Sequence, residues 1–218
     1  YLELKKKKFK KFNQNYILFV SCKIRVDEIY YLELLNKILR KNKKIFKNTK
    51  IIYRQHPQDK NLTVIKKLKH LENVIIDETV FSDKKVSYFK NDTNLIKKNF
   101  IPLVSNAKFL TGCVSSVLIE SLILNKSYLV IAFKNKLNEF YNPERAYKNL
   151  VHYEGLEKID NVNFSSSEKD YEKIVIKMFK KQKKPTKYFK TLQQLDYFYH
   201  KNKITYDRNI EKIVNKII

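Results

Sequence analysis

Five short β-favouring runs, Tyr16 to Ser21, Lys50 to Arg54, Val74 to Ile76, Phe109 to Gly112 and Tyr128 to Ile131, are separated by segments whose apolar residues recur at helical spacing. Tyr16 to Ser21 is apolar almost without interruption, as expected of a strand buried on both faces of a parallel sheet. Asp27 stands where a cap belongs for a helix over 28–41, in which Ile29, Leu32, Leu35, Ile38 and Leu39 share a face. Leu62 to His70 reads as a short helix and 77–93 as a long surface loop or weak element. Leu95 to Ser105 reads as a helix made irregular by Pro102. The resulting β-α-β-α-β-α-β-α-β order predicts an α/β fold, a Rossmann-like doubly wound parallel sheet with helices on both faces.

Three domain segments follow from this pattern. Residues 1–15 are a Lys-rich linker or remnant of a preceding domain. Residues 16–156 are the Rossmann-like unit, and 157–218 are C-terminal helices packed on it. After Phe133 the pattern turns helical and loop-like. Asn142-Pro143-Glu144-Arg145 reads as a helix start with proline in the first turn. Ser167 should cap a helix over 168–181, with Tyr171, Ile174, Val175, Met178 and Phe179 on one face. The chain begins at Tyr1 and charged residues follow at once, so it is expected to start inside a longer protein.

The formal charge of +24 would ordinarily favour nucleic acid or an anionic membrane as partner. Of the 46 basic residues only five are arginine, and the chain is rich in Asn, Ile, Phe and Tyr. That is the residue choice of A/T-rich coding rather than of a designed basic face. The lysines occur in every segment, with no stripe of arginines and interleaved aromatics, which argues against a nucleic-acid partner. Attraction to anionic lipid headgroups survives the discount. Cys22 and Cys113 lie in apolar contexts without metal-ligand spacing and are expected reduced, buried and structural. No apolar run approaches the ~20 residues of a spanning helix. The expected location is cytoplasmic, or peripheral on the inner face of a membrane.

Chemistry concentrates at the ends of two strands. Pro57 cannot continue a ladder, so the chain leaves the sheet just after Arg54-Gln55-His56, and the imidazole falls at the strand's carboxyl end, where open α/β sheets bind ligands. Gly112-Cys113-Val114-Ser115-Ser116 joins another strand to a helix whose first turn carries unpartnered N–H groups and partial positive charge. Ser115 and Ser116 can hold a phosphate oxygen there. Glu120, at i+4 from Ser116, would offer a carboxylate to ribose or sugar hydroxyls. The plainer alternatives are an N-cap serine, a solvated Glu120 and a hydrogen-bonded structural histidine.

Arg54-Gln55-His56-Pro57 and Ser115-Ser116 with Glu120, taken together, resemble the donor-binding half of GT-B glycosyltransferases that use cytidine-activated donors. These include bacterial sialyltransferases with His-Pro and Ser-Ser/Thr motifs. The pairing is also similar to CDP-glycerol glycerophosphotransferases and capsular polysaccharide transferases, and the likeness covers roughly residues 16–156. It implies a transferase of surface polysaccharide synthesis that binds a nucleotide-sugar or CDP-glycerol donor and a glycan or lipid-linked acceptor. No cofactor and no metal would be needed, since the activated donor is itself a substrate. His56 would be catalytic, contacting the donor phosphate and helping the nucleoside phosphate to leave. Arg54, Pro57, Gly112, Ser115, Ser116 and Glu120 would bind phosphate or nucleotide. Structural pairing is the alternative role for Arg54, and His152 in His-Tyr-Glu-Gly is a further candidate with a structural alternative.

The deprotonating base usually belongs to the other Rossmann-like half in these families, and this chain has room for one half only. The C-terminal helices resemble those that pack back across a GT-B hinge, by fold-level analogy. A sugar-nucleotide epimerase of the same fold is the first alternative, but it requires additional acid/base carboxylates and a histidine, and no convincing set is present. A non-enzymatic anionic-surface or nucleic-acid binding protein is the second. A serine hydrolase is disfavoured because Gly112-Cys113-Val114-Ser115-Ser116 lacks the second glycine of a nucleophile elbow.

Overall fold

The computed structural model describes residues 14–22, 26–56, 62–77, 93–135, 143–144, 147, 155–181, 190–191 and 194. Six strands form one sheet: β1 (Tyr16–Val20), β2 (Lys50–Arg54), β3 (Val74–Ile76), β4 (Leu110–Gly112), β5 (Tyr128–Ile131) and β6 (Val162–Ser165). Every pairing is parallel, and the spatial order is β3-β2-β1-β4-β5-β6. That is the doubly wound Rossmann order, whose direction reverses between β1 and β4. The helices are α1 (Glu28–Lys41), α2 (Leu62–Leu68), α3 (Thr93–Asn106), α4 (Ser116–Ile123) and α5 (Glu168–Lys180).

Why β1 reads as continuous apolar sequence is visible in the packing. Tyr16, Leu18 and Val20 enter a core with Ile101 and Val104 of α3 and with Leu118 and Leu122 of α4. Ile17 and Phe19, pointing the other way, enter a second core with Leu32, Leu35 and Leu39 of α1 and with Tyr171 and Val175 of α5. With period-2 alternation and helices on both faces, no position of β1 is left for a polar residue. Each fully buried side chain of this size stabilises by about 1.5–3 kcal/mol.

The caps follow the sequence closely. The Asp27 carboxylate accepts from the Tyr30 N–H at 3.3 Å, and the Ser167 hydroxyl accepts from the Asp170 N–H at 3.1 Å. Helix α3 continues through Pro102, although an interior proline removes a hydrogen bond and costs ~3 kcal/mol. Burial of Ile101, Leu103 and Val104 on the flanking positions offsets that cost.

One element departs from expectation. The segment after Phe133 was read as helical and loop-like, yet Val162–Ser165 is a sixth strand in register with Tyr128–Ile131. Asn161, at φ 74°, turns the chain into this strand, and its carbonyl accepts from the Tyr128 N–H at 2.8 Å. The sheet therefore continues into the segment 157–218. Residues 143, 144 and 147 are helical, in keeping with a helix start near Pro143. The Lys-rich lead up to residue 13 lies outside the described residues.

Candidate functional site at the carboxyl edge of the sheet

In an all-parallel sheet every strand exit opens on one edge, and register decides which exits are neighbours. Val20 of β1 pairs with Arg54 of β2 on one side and with Gly112 of β4 on the other. At a strand spacing of about 4.8 Å, the exits of β2 and β4 lie roughly 10 Å apart across β1. The exits of β1 and β4 themselves flank the strand-order reversal, the place where such sheets form a crevice.

On the β2 side, the Ser21 N–H donates to the Arg54 carbonyl at 2.9 Å as the last rung between β1 and β2. Gln55 is buried and His56 is half-buried just beyond it. Pro57 lies outside the described residues. The Arg54 guanidinium donates to the carboxylate of Asp77, which directly follows β3, and sits 4.8 Å above the Phe100 ring. Their side chains are only 12% and 6% exposed. The pair joins the end of β2 to the residue that follows β3.

On the β4 side, Gly112 is required by close approach. A Cβ there would lie 2.3 Å from the Val20 carbonyl oxygen, and its φ of +157° is rare for L side chains. Past it, the Cys113 carbonyl accepts from the Tyr128 hydroxyl at 2.8 Å, and Val114 turns into the core. Ser115 is the N-cap of α4, with extended backbone, and its carbonyl accepts from the Leu118 N–H at 3.0 Å. Its side chain does not cap. Unlike Asp27 and Ser167, the Ser115 hydroxyl bonds no helix N–H, and its oxygen is buried without a hydrogen-bond partner among the described residues. An orphaned buried hydroxyl costs about 1–3 kcal/mol, so it is a place where an added acceptor or donor would stabilise. Ser116 is exposed on the first turn, and Glu120 is half-buried one turn further on.

The structure thus sets the strand exits that carry His56 and that carry Gly112, Ser115 and Ser116 on one edge, and Arg54, at the end of β2, is in an ion pair. His152 lies outside the described residues. Among those residues no group of three or more His, Cys, Asp or Glu side chains is arranged to hold a metal ion.

A supporting network at the same edge was not anticipated. Glu28, in the first turn of α1 and 8% exposed, accepts from the Cys22 N–H at 3.1 Å and from the Tyr53 hydroxyl at 2.6 Å. It thereby fixes the β1 exit against β2. Cys22 and Cys113 are both buried free thiols, as expected, and a hydrogen bond between them, with burial, pushes the Cys113 thiol well up from its ordinary value. The Asn135 amide, beyond β5, donates to Asp27 at 2.9 Å. Of this network the sequence reading singled out only Asp27, as a helix cap, and Cys22 as a buried thiol; Glu28, beside Asp27 at the helix start, was its one further sign.

Strand order and edge define a Rossmann-like α/β protein with its candidate site at the topological switch point. No protein-family model matches the chain, and no curated protein matches its sequence. Among solved structures it is similar to a putative UDP-N-acetylglucosamine 2-epimerase from Listeria monocytogenes, at 13% identity and TM-score 0.47, covering 87% of this chain and 45% of that one. It is also similar to the S. aureus MnaA structure with UDP, at 11% identity and TM-score 0.48, covering 91% and 51%. A third is WaaG, a glycosyltransferase involved in lipopolysaccharide biosynthesis, at 13% identity and TM-score 0.44, covering 88% and 44%. The chain spans about half the length of these structures.

Proposed function

We propose that this chain is the donor-binding half of a GT-B-type transferase that takes a nucleotide-activated, cytidine-based donor and builds a cell-surface polysaccharide. What supports the proposal is the register around Val20, which sets the strand exits that lead to His56 and to Ser115-Ser116 on one sheet edge, one on either side of β1. Roughly 10 Å between strand exits, narrowed by side chains on either side, suits a phosphate group between them.

In this mechanism the bond between the transferred group and the donor phosphate breaks as the acceptor oxygen forms its own bond to that group. Negative charge then gathers on the departing nucleoside phosphate. An imidazole N–H from His56, the hydroxyls of Ser115 and Ser116, and the free amides of the first turn of α4 stabilise that charge where it develops. Glu120 takes a ribose or sugar hydroxyl, and His152 is a second cleft candidate. Arg54, the last residue of β2 and paired with Asp77, is a second cation candidate near the phosphate. The acceptor, a glycan or lipid-linked sugar, and the base that deprotonates it belong to the complementary half. The enzyme works in the cytoplasm or against the inner face of a membrane.

The test is calorimetry with CMP, CDP, UDP and GDP. Binding of a cytidine nucleotide, lost in His56→Ala and in Ser116→Ala variants that keep their circular dichroism, is the expected result. A folded sample that binds none of the four sinks the proposal, and preference for UDP replaces the cytidine assignment.

A further inference from the structure

At the amino edge of the sheet, opposite His56 and Ser115, the turn joining α1 to β2 walls a cleft of about 500 Å³. Arg40 comes from the last turn of α1, Lys43 and Lys47 from the connecting turn, and Lys50 from the start of β2. Glu72 is its one carboxylate, beside Asn73. From Leu34 to Gln58 the chain has no Asp or Glu but eight Lys and Arg, a concentration well above that of the chain as a whole.

Most of the neighbouring cations already have work. Lys41 pairs with Glu172 on α5, Arg54 pairs with Asp77, and the Lys50 ammonium donates to the Glu72 carbonyl at 3.3 Å. Arg40, Lys43 and Lys47 are exposed and form no ion pair with another described residue. Compensation of the negative end of α1 does not account for all three. Arg40 and Lys41 lie in its last turn, and Asn42 meets the Ile38 carbonyl with both its side chain, at 3.0 Å, and its backbone N–H, at 3.1 Å. Lys43 and Lys47 lie beyond that turn, on a concavity floored by the buried Leu39 and Phe46. A concave wall with four cations to one carboxylate, over an apolar floor, focuses positive potential, and its cations repel one another until an anion enters.

We propose that this cleft binds a phosphate-bearing anion, held by Arg40, Lys43 and Lys47. The site is independent of the donor-site proposal, since it uses other residues at the other edge of the sheet. The same chemistry is met by a soluble polyphosphate and by an anionic lipid headgroup, so the experiment has an arm for each.

Tripolyphosphate is titrated into isotope-labelled chain at physiological salt while amide resonances are followed. Shifts over residues 40–50 and 72–73 should saturate together, and Lys43→Ala with Lys47→Ala should weaken binding about tenfold. Lys66→Ala with Lys67→Ala, which removes equal charge from exposed positions on α2, should leave it unchanged. In the second arm, vesicles of phosphatidylcholine with and without phosphatidylglycerol are floated with each variant. Capture on phosphatidylglycerol that Lys43→Ala with Lys47→Ala abolishes assigns the site to a lipid headgroup, and tripolyphosphate binding without capture assigns it to a soluble anion. Equal loss in both double variants, shifts confined to residues outside the cleft, or neither probe binding overturns the proposal.

Discussion

The Tyr128 hydroxyl donates to the Cys113 carbonyl at 2.8 Å, so the turn that leads from β4 into the serine pair is held by the first residue of the neighbouring strand. Tyr128→Phe removes that donor and leaves a buried carbonyl short of a partner. It should cost about 1–2 kcal/mol in urea unfolding and weaken nucleotide binding without abolishing it.

Gly112 admits no side chain. Gly112→Ala would set a methyl carbon 2.3 Å from the Val20 carbonyl oxygen, which cannot move without breaking the β1 ladder. The expected loss is about 3 kcal/mol or more, read as a fall in unfolding midpoint. A variant of wild-type stability would show that the β1–β4 spacing is not as described.

Arg54 and Asp77 separate structure from function. Asp77→Ala removes the carboxylate from a nearly buried guanidinium and should cost about 3 kcal/mol, whereas Arg54→Met with Asp77→Leu should recover most of it. If nucleotide affinity also returns in the double variant, Arg54 serves the site only by position. Recovery of stability without affinity gives the guanidinium a direct phosphate contact.

Helices α1 and α5 are joined by Lys41 and Asn42 bonding to Glu172. The Lys41 ammonium, foremost, holds the Glu172 carboxyl below its ordinary 4.5. A depressed carboxylate contributes stability above its unfolded value and loses it as pH falls through the folded one. Thermal midpoints of wild type should therefore decline below about pH 5, and Glu172→Gln should show a shallower decline over the same range. Parallel acid limbs would refute the linkage.

Cys22 and Cys113 are buried, and Cys113 is further disfavoured as a thiolate by the Cys22 thiol bonded to it. Neither should react with an aromatic disulfide reagent at neutral pH until denaturant is added, when both should. Rapid labelling of the native chain would show that the β1 exit opens.

Much of this architecture was legible because burial on both faces writes itself as uninterrupted apolar sequence: Tyr16–Val20 and Tyr128–Ile131 could be little else. Helices with a cap and one apolar face, α1 and α5, were equally plain. β6 was hidden because Val162-Asn163-Phe164-Ser165 is short, half polar and only partly buried at the sheet edge. That β2 and β4 end where they do was readable, since Pro57 and the helix after Gly112 mark the exits that carry His56 and Ser115. What sequence could not reveal is pairing across distance: that Arg54 would find Asp77, and Glu28 would find Tyr53, depends on register that only the folded sheet sets.

Helix α5 comes late in the chain yet lies over Phe19, Tyr31 and Leu129, side chains translated long before it. During synthesis α1 covers only part of that flank, and the rest stays open until residue 180 has left the ribosome. Chains stalled short of residue 162 should stay open to protease and hold a chaperone, and release should come abruptly as α5 docks.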